Sequence, residues 1–227
     1  MKKISIAIDG PAGVGKSTAA KALAKELGYV YVDTGALYRA IAVFLSDQGI
    51  KSDDLPENRI KELIRDIKVE ICYRDDVQHV IVNGIDVTDR LRTQEISRMA
   101  SVSSALPCIR EKLLDLQREL SEKYDVIMDG RDIGTVVLPN ADLKLFLTAN
   151  SLVRAKRRYR QLEESGLLGE ETPDSIQREI EERDYQDSHR KIAPLKPAED
   201  AVVLDTSEIS MEEEIRLIRS YLKEKTR

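Results

Sequence analysis

A short glycine-rich segment near the start of the chain carries the clearest chemical signal. Gly10-Pro11-Ala12-Gly13-Val14-Gly15-Lys16-Ser17 fits the phosphate-loop pattern G-x-x-x-x-G-K-[ST] at every fixed position. In such a loop, backbone N–H groups surround a polyphosphate, the lysine reaches the terminal phosphates and the serine hydroxyl reaches Mg²⁺. A glycine-rich turn without a ligand would have no need of the Lys-Ser pair. The pattern therefore predicts triphosphate binding by a set of consecutive positions: Gly10, Gly13, Val14, Gly15, Lys16, Ser17 and Thr18.

Residues suited to phosphate or metal also occur at or after the ends of other predicted strands. Tyr124–Asp129 is predicted to be an apolar strand, and its terminal Asp129 could orient Mg²⁺, directly or through water. The following Gly130–Thr135 segment places two glycines around Arg131 and Asp132, which favours a ligand loop, with a plain turn as the alternative. Asp33–Arg39 is a further segment of this kind, because it too follows a predicted strand.

Within Asp33–Arg39, three side chains leave their roles open. The guanidinium of Arg39 is a forked donor suited to phosphate, although a solvated arginine is the alternative. Thr34 could cap the next helix or contact a ligand. Asp33 could orient an acceptor phosphate or a magnesium-bound water.

Two predicted helices carry cationic residues at helical spacing. Arg154, Arg157 and Arg158 follow one another at i, i+3 and i+4, so one helix side can present them to a polyanion, unless they form an ordinary solvated face. Glycines at Gly166 and Gly169 could hinge this segment as a lid. A second helix, beginning with Thr172 as N-cap and Pro173, spaces three further side chains at i, i+4 and i+7: Arg183, Asp187 and Arg190.

Elements able to position these residues alternate along the chain. A β-branched strand leads into the phosphate loop, a helix follows to Gly28 as its C-terminal cap, and a second strand comes next. With the strands predicted at 124–129, 141–147 and 201–205, this order predicts an α/β fold whose parallel sheet has five strands flanked by helices. Alternating residues and the Asn83-Gly84 turn predict an antiparallel β insertion over 68–92, with a further turn at Asp75-Asp76. The insertion either caps a binding cleft or serves as a stabilising flap.

Composition excludes several classes of protein. The chain has 227 residues, 36 basic and 41 acidic, giving a formal charge of −5, which argues against nucleic-acid or membrane-surface binding. The apolar run after Met1-Lys2-Lys3 is too short for a signal peptide, and no stretch reaches membrane-spanning length. Cys72 and Cys108 are expected to be reduced thiols, and two histidines leave little for a zinc site. We expect a cytoplasmic monomer.

This inventory suits phosphoryl transfer, whose charge-rich transition state is stabilised by positioning, Mg²⁺ and cationic donors. No evident nucleophile is present. A nucleotide-dependent switch is an alternative, but no glutamine or partner motif is assignable to it. A kinase for another monophosphate or a small anionic metabolite is a second alternative.

Several separated motifs, in order along nearly the whole chain, resemble the bacterial cytidylate kinase family of nucleoside monophosphate kinases. They are the phosphate loop, Asp33–Arg39, Arg92-Thr93-Gln94-Glu95, Gly130–Thr135 and the stretch from Arg183 to Pro194. The resemblance implies a P-loop kinase fold that transfers the terminal phosphoryl group of ATP to CMP or dCMP, with Mg²⁺ as cofactor. It further implies one domain of 1–227, with a core of 1–34, 121–150 and 191–227, a monophosphate-binding region of 35–120 and a helical lid of 151–190.

The resemblance also implies roles for individual residues. Lys16, Arg131, Arg157 and Arg183 would be catalytic, with Arg157 facing ATP, and Ser17 and Asp129 would serve Mg²⁺. CMP would be bound through its phosphate by Arg39, Arg131 and Arg183, along that side by Thr34, Gly35 and Tyr38, at the base by Ser101, Arg110 and Asp132, and at the ribose by Asp187 and Arg190. The family often has serine at Thr34, and the hydroxyl is retained.

The base assignment also agrees with hydrogen-bonding chemistry. Cytosine offers an amino donor and two acceptors, so a carboxylate together with an arginine complements it. Uracil would place a carbonyl acceptor against Asp132.

Overall fold

The computed structural model describes residues 3–75 and 77–225, so Asp76 of the predicted turn lies outside the described residues. Eight strands and eight α-helices are assigned there. The first half of the chain contains β1 (Ser5–Asp9), α1 (Lys16–Leu27), β2 (Val30–Asp33), α2 (Thr34–Asp47), α3 (Glu57–Arg65), β3 (Val69–Arg74), β4 (Val77–Val82), β5 (Ile85–Asp86), α4 (Gln94–Ser103) and α5 (Pro107–Lys123). The second half contains β6 (Val126–Gly130), β7 (Leu143–Thr148), α6 (Ser151–Glu164), α7 (Pro173–His189), β8 (Val202–Asp205) and α8 (Met211–Lys225).

The chain divides into two compact units, Met1–Tyr31 with Tyr124–Arg227 and Val32–Lys123. We call them the nucleotide-loop unit and the insertion unit. The nucleotide-loop unit is built on the five-stranded sheet, in the order β2-β6-β1-β7-β8. The central strand β1 runs parallel to both β6 and β7, and β7 runs parallel to β8, as the sequence predicts.

The core of the nucleotide-loop unit lies between this sheet and its helices. Ile6, Ile8 and Leu145 are buried with Leu23 of α1 and Ile218 of α8. β1 and β6 are buried along nearly their whole length, because helices cover both faces of a parallel sheet. Parallel strands end on the same edge of the sheet, so the segments that follow β1 and β6 are neighbours.

In the insertion unit, α2 packs against α4, α5 and strand β4. This strand is the middle one of a small antiparallel sheet in the order β3-β4-β5. Leu37 and Ile41 of α2 are completely buried with Ile60, Val80 and Leu113. The antiparallel insertion is confirmed, and Asn83 and Gly84 adopt left-handed φ angles of 50° and 81° between its strands.

The helix boundaries confirm most of the predicted caps and contradict one. Gly28 ends α1 with a φ of 69°, and Thr172 and Ser175 form a capping box at α7. Thr34 is not an N-cap: the cap of α2 is Asp33, whose carboxylate accepts the N–H of Ala36. Both residues have capping oxygens, and the end of β2 at Asp33 decides which one occupies the position.

Candidate active site

The phosphate loop connects β1 to α1, and its first glycine is required by contact with the sheet. Gly10 has a φ of 149°, and a Cβ placed on it would lie 2.2 Å from the Leu147 carbonyl oxygen of β7. Gly13 and Gly15 have φ angles of 73° and 105°, which other residues adopt only with strain. These glycines let the backbone curve into the N-terminus of α1, where N–H groups and the helix dipole favour an anion.

Lys16 lies inside the loop. Only 6% of its surface is exposed, and Nζ donates a 2.7 Å hydrogen bond to the Pro11 carbonyl. Burial holds the pKa of the Lys16 ammonium well below its usual value, and the charge of Arg131 acts in the same direction. The carboxylates of Asp129 and Asp9 oppose this shift. A polyphosphate would add strong negative charge here, which favours the charged form of the lysine.

Ser17 and Asp129 meet beside the loop. The serine hydroxyl donates to Asp129 Oδ2 at 2.7 Å, and Tyr31 Oη donates to Oδ1 at 2.8 Å. Asp129 is 5% exposed, at the carboxyl end of β6. Within the described ranges, no group of three or more histidine, cysteine or acidic residues is placed so that it could hold a metal ion. Mg²⁺ is commonly held by one or two protein oxygens together with substrate phosphates, so this hydroxyl and carboxylate fit it.

Arg154 of α6 is hydrogen-bonded to the phosphate loop. Its Nη1 donates to the Ala12 carbonyl at 3.0 Å, Nε donates to the Ala149 carbonyl at 2.9 Å, and Nη2 pairs with Asp184 of α7 at 2.6 Å. Arg154 is 5% exposed. The expectation that one helix side presents Arg154, together with Arg157 and Arg158, to a polyanion is therefore wrong for Arg154, which is a buried support of the loop.

Arg157 has a similar backbone contact. It donates to the Val14 carbonyl at 3.4 Å and to the Thr206 carbonyl at 2.6 Å. Glu214 of α8 lies near it and is 2% exposed; burial raises the pKa of this carboxyl to about 6 and Arg157 lowers it in part. Arg158 is exposed and bonds Gln161.

The segment after β6 brings together four of the predicted CMP-binding residues. Arg131 Nε pairs with Asp187 of α7 at 2.8 Å, and Arg190 Nη2 contacts Asp132 at 3.4 Å. Burial acts to raise the pKa of Asp187, but the charges of Arg131, Arg183 and Arg190 lower it overall. The three arginines are thus close enough to the same carboxylate to form one cationic group, which the i, i+4, i+7 spacing on α7 indicates only in part.

In the insertion unit, two of the predicted CMP-binding arginines have defined neighbours. Arg39 Nη2 pairs with Asp33 at 2.9 Å, so Asp33 both caps α2 and orients this arginine. The Arg110 guanidinium lies 5.6 Å from the centre of the Tyr38 ring. Thr34 and Gly35 occupy the first turn of α2, and Ser101 lies on α4.

Several residues of the site were missed by the sequence analysis. Tyr31 and Thr206 contact predicted site residues that are 98 and 49 positions away, and no local pattern indicates such pairs. Glu214 was also missed, because acidic residues are common in the first turn of a helix and do not by themselves indicate a site. Asp9 was also missed, although its position at the carboxyl end of a strand in a parallel sheet is a signal in itself.

Three features occur together here: a parallel sheet, a glycine-rich loop that opens a helix, and a lysine and a hydroxyl–carboxylate pair at that loop. They define a phosphate-loop nucleotide-binding protein of the kinase type. A family model described as cytidylate kinase matches residues 6–224. The chain belongs to the cytidylate kinase family.

Named relatives agree with this family assignment, and a solved structure shares the fold. A cytidylate kinase from Lactobacillus gasseri is 47% identical, covering 98% of this chain and 95% of the relative, and one from Bacillus subtilis is 43% identical, covering 100% and 99%. The crystal structure of an uncharacterized protein from Eubacterium ventriosum has a TM-score of 0.54 at 13% identity and covers 98% of this chain and 99% of that one, which shows a shared fold. In the part of the chain that the structure describes, no helix is long and apolar enough to cross a membrane.

Proposed function

We propose that this protein transfers the terminal phosphoryl group of ATP to CMP, and to dCMP, giving ADP and the corresponding diphosphate. The observation that carries the proposal is a complete phosphate loop in a chain matched by the cytidylate kinase model over residues 6–224. The names of the relatives support CMP as the acceptor, and the cationic group around Asp187 supports phosphate chemistry.

On the donor side, the loop N–H groups and Lys16 bind the ATP phosphates. The Ser17 hydroxyl, with Asp129 directly or through water, would hold Mg²⁺, and the bound ion would neutralise phosphate charge. Arg154 fixes the Ala12 carbonyl of the loop, so the donor phosphates meet a preorganised backbone. Arg157, which lies on α6, faces ATP.

On the acceptor side, several arginines are assigned to the CMP phosphate. Arg39, Arg131 and Arg183 bind the CMP phosphate, with Asp33 orienting Arg39. The remaining contacts assigned to CMP are those with Thr34, Gly35, Tyr38, Ser101, Arg110, Asp132, Asp187 and Arg190. Lys16, Arg131, Arg157 and Arg183 are the cations that stabilise charge on the transferred group during in-line transfer.

We also propose that residues 151–190 act as a lid. Gly166 and Gly169, between α6 and α7, have φ angles of 68° and 58° and provide flexible positions at its tip. Closure would exclude water that could otherwise accept the phosphoryl group. We propose that the enzyme works as a cytoplasmic monomer that binds neither nucleic acid nor membrane. Its net charge of −5 and two free cysteines support this setting.

The test is steady-state ADP formation with ATP and Mg²⁺, run separately with CMP, dCMP, UMP, AMP and no acceptor. The highest kcat/KM is expected for CMP, with dCMP next. ADP formation without any acceptor would indicate a nucleotide-dependent switch instead. Activity only with another acceptor would overturn the substrate assignment while keeping a kinase.

A further inference from the structure

Asp9 is a buried carboxylate with no role in the assignments above. It ends β1 directly before Gly10 and is 3% exposed. Oδ1 accepts the N–H of Ile133 and Oδ2 accepts the N–H of Gly134, both at 2.7 Å. The carboxylate therefore joins the start of the phosphate loop to a backbone segment 124 residues away.

The segment that Asp9 holds is a single π-helical turn, Ile133–Val137, that follows β6. Such turns are rare and frequently occur at functional sites. Gly134 approaches closely: a Cβ there would lie 3.2 Å from Lys144 Cδ and 3.4 Å from Asp9 Oδ2. The two N–H groups are at the start of the turn, where a side chain of the same segment would usually cap them. Here a carboxylate from another strand does so.

A charged group in this place is energetically costly. Burial raises the pKa of Asp9 to about 6 even though both N–H groups lower it. The charge of Asp132 also acts to raise the pKa, whereas Lys16 lowers it. An apolar residue would avoid the cost of burying a charge but would leave two buried N–H groups without an acceptor.

The held turn begins immediately after Arg131 and Asp132. These side chains contact Asp187 and Arg190 at the end of α7. A carboxylate that fixes the backbone at positions 133 and 134 thus limits how far the two preceding residues can move relative to the phosphate loop. Because transfer depends on donor and acceptor phosphates being placed to within about 1 Å, this connection has a direct kinetic consequence.

We propose that Asp9 is a positioning residue for the phosphoryl acceptor, which keeps Arg131 and Asp132 in place relative to the phosphate loop. The inference rests on the proposed function, since the acceptor is taken to be CMP. Asp9 acts through backbone N–H groups, so it shapes acceptor binding without touching the reacting atoms.

The test is the kinetics of Asp9→Asn, in which one amide N–H group faces a backbone N–H donor. We expect KM for CMP to rise about tenfold or more, kcat to fall, and KM for ATP to change less than about threefold. The preference for CMP over UMP is expected to fall as well, through Asp132. Wild-type KM for CMP in the variant would overturn the proposal.

Asp142→Asn is the matched control. Its carboxylate accepts the Ser5 N–H at 3.0 Å, at the other end of β1. This change is expected to lower the melting temperature while leaving both KM values unchanged. A wild-type enzyme without CMP kinase activity would instead mean that the proposed function itself has failed.

If Asp9→Asn does not fold, amide hydrogen exchange in the wild-type enzyme decides the matter. Bound CMP should slow exchange at Ile133 and Gly134 more than at Ser5, because acceptor binding and the held turn stabilise each other. CMP binding that leaves exchange at both amides unchanged would overturn the proposal.

Discussion

The Ser17 hydroxyl donates a 2.7 Å hydrogen bond to Asp129, joining the first turn of α1 to the end of β6 across 112 residues. Two oxygens held together in this way can share Mg²⁺ or one of its waters. We predict that Asp129→Asn raises the Mg²⁺ concentration for half-maximal activity about tenfold, because an amide is a weaker ligand and loses the charge.

The measurement is ADP formation across a Mg²⁺ titration at fixed ATP. Tyr31→Phe is the control, since it removes the bond to Asp129 Oδ1 and keeps the carboxylate, so its effect should be smaller. An unaltered Mg²⁺ requirement in Asp129→Asn would show that this residue does not serve the metal.

Replacing Arg154 should damage the phosphate loop. Arg154→Ala removes the support of Ala12 and leaves the Asp184 carboxylate without its partner; we expect a loss of unfolding free energy on the order of 2 kcal/mol. KM for ATP should rise about tenfold, because the Ala12 carbonyl of the loop is no longer fixed. Thermal unfolding and ATP kinetics provide the measurement. Exposed Arg158→Ala is the control, and equal effects of the two changes would contradict the assignment.

Asp132 is predicted to discriminate between pyrimidine bases. Asp132→Asn should reduce the ratio of kcat/KM for CMP to that for UMP by about one to two decades, because an amide can donate to the uracil carbonyl. Parallel kinetics with the two acceptors measure the ratio. Asp187→Asn should lower kcat/KM for CMP and for UMP by a similar factor, because Asp187 pairs with Arg131 and is assigned to the ribose. The ratio of the two values should therefore stay the same. A constant ratio in Asp132→Asn would refute the base assignment.

The insertion unit contains a carboxylate whose contribution to stability depends on pH. Asp86 accepts from Thr88 and faces His79 and Arg74, and hydrogen bonds from Thr88 lead the effects that lower its pKa to about 2 from 3.8. A lowered carboxyl pKa stabilises the fold above the unfolded value, and that contribution is lost as pH falls from about 4 towards 2.

Asp86→Asn should therefore lower the melting temperature at pH 7, and the difference from the wild type should narrow as pH falls below about 4. Thermal unfolding followed by circular dichroism between pH 3 and pH 7 measures this. Asp89→Asn, exposed in the same segment, is the control and should show little difference at any pH. A difference in melting temperature that grows as the pH falls would contradict the predicted direction of the effect.

The order of elements and the phosphate loop could be predicted from the sequence because their signals are local. Alternating residues before Asn83-Gly84 predict the hairpin, and helical spacing between Ser17 and Gly28 predicts α1. Such patterns depend on neighbours within a few positions. The cap of α2 was misplaced by one residue because Asp33 and Thr34 are both good caps, and only the end of β2 distinguishes them.

The sequence by itself determined the fold class, the phosphate loop and the family resemblance, since these depend on residue types at short spacings. Only the tertiary structure decided which charged side chains are partners. Arg154 is an internal support because the Ala12 carbonyl lies 142 positions earlier, and Asp9 holds Gly134 because β1 and β6 are adjacent in the sheet. Strand order and burial select such contacts, and neither is written in the spacing of the residues that make them.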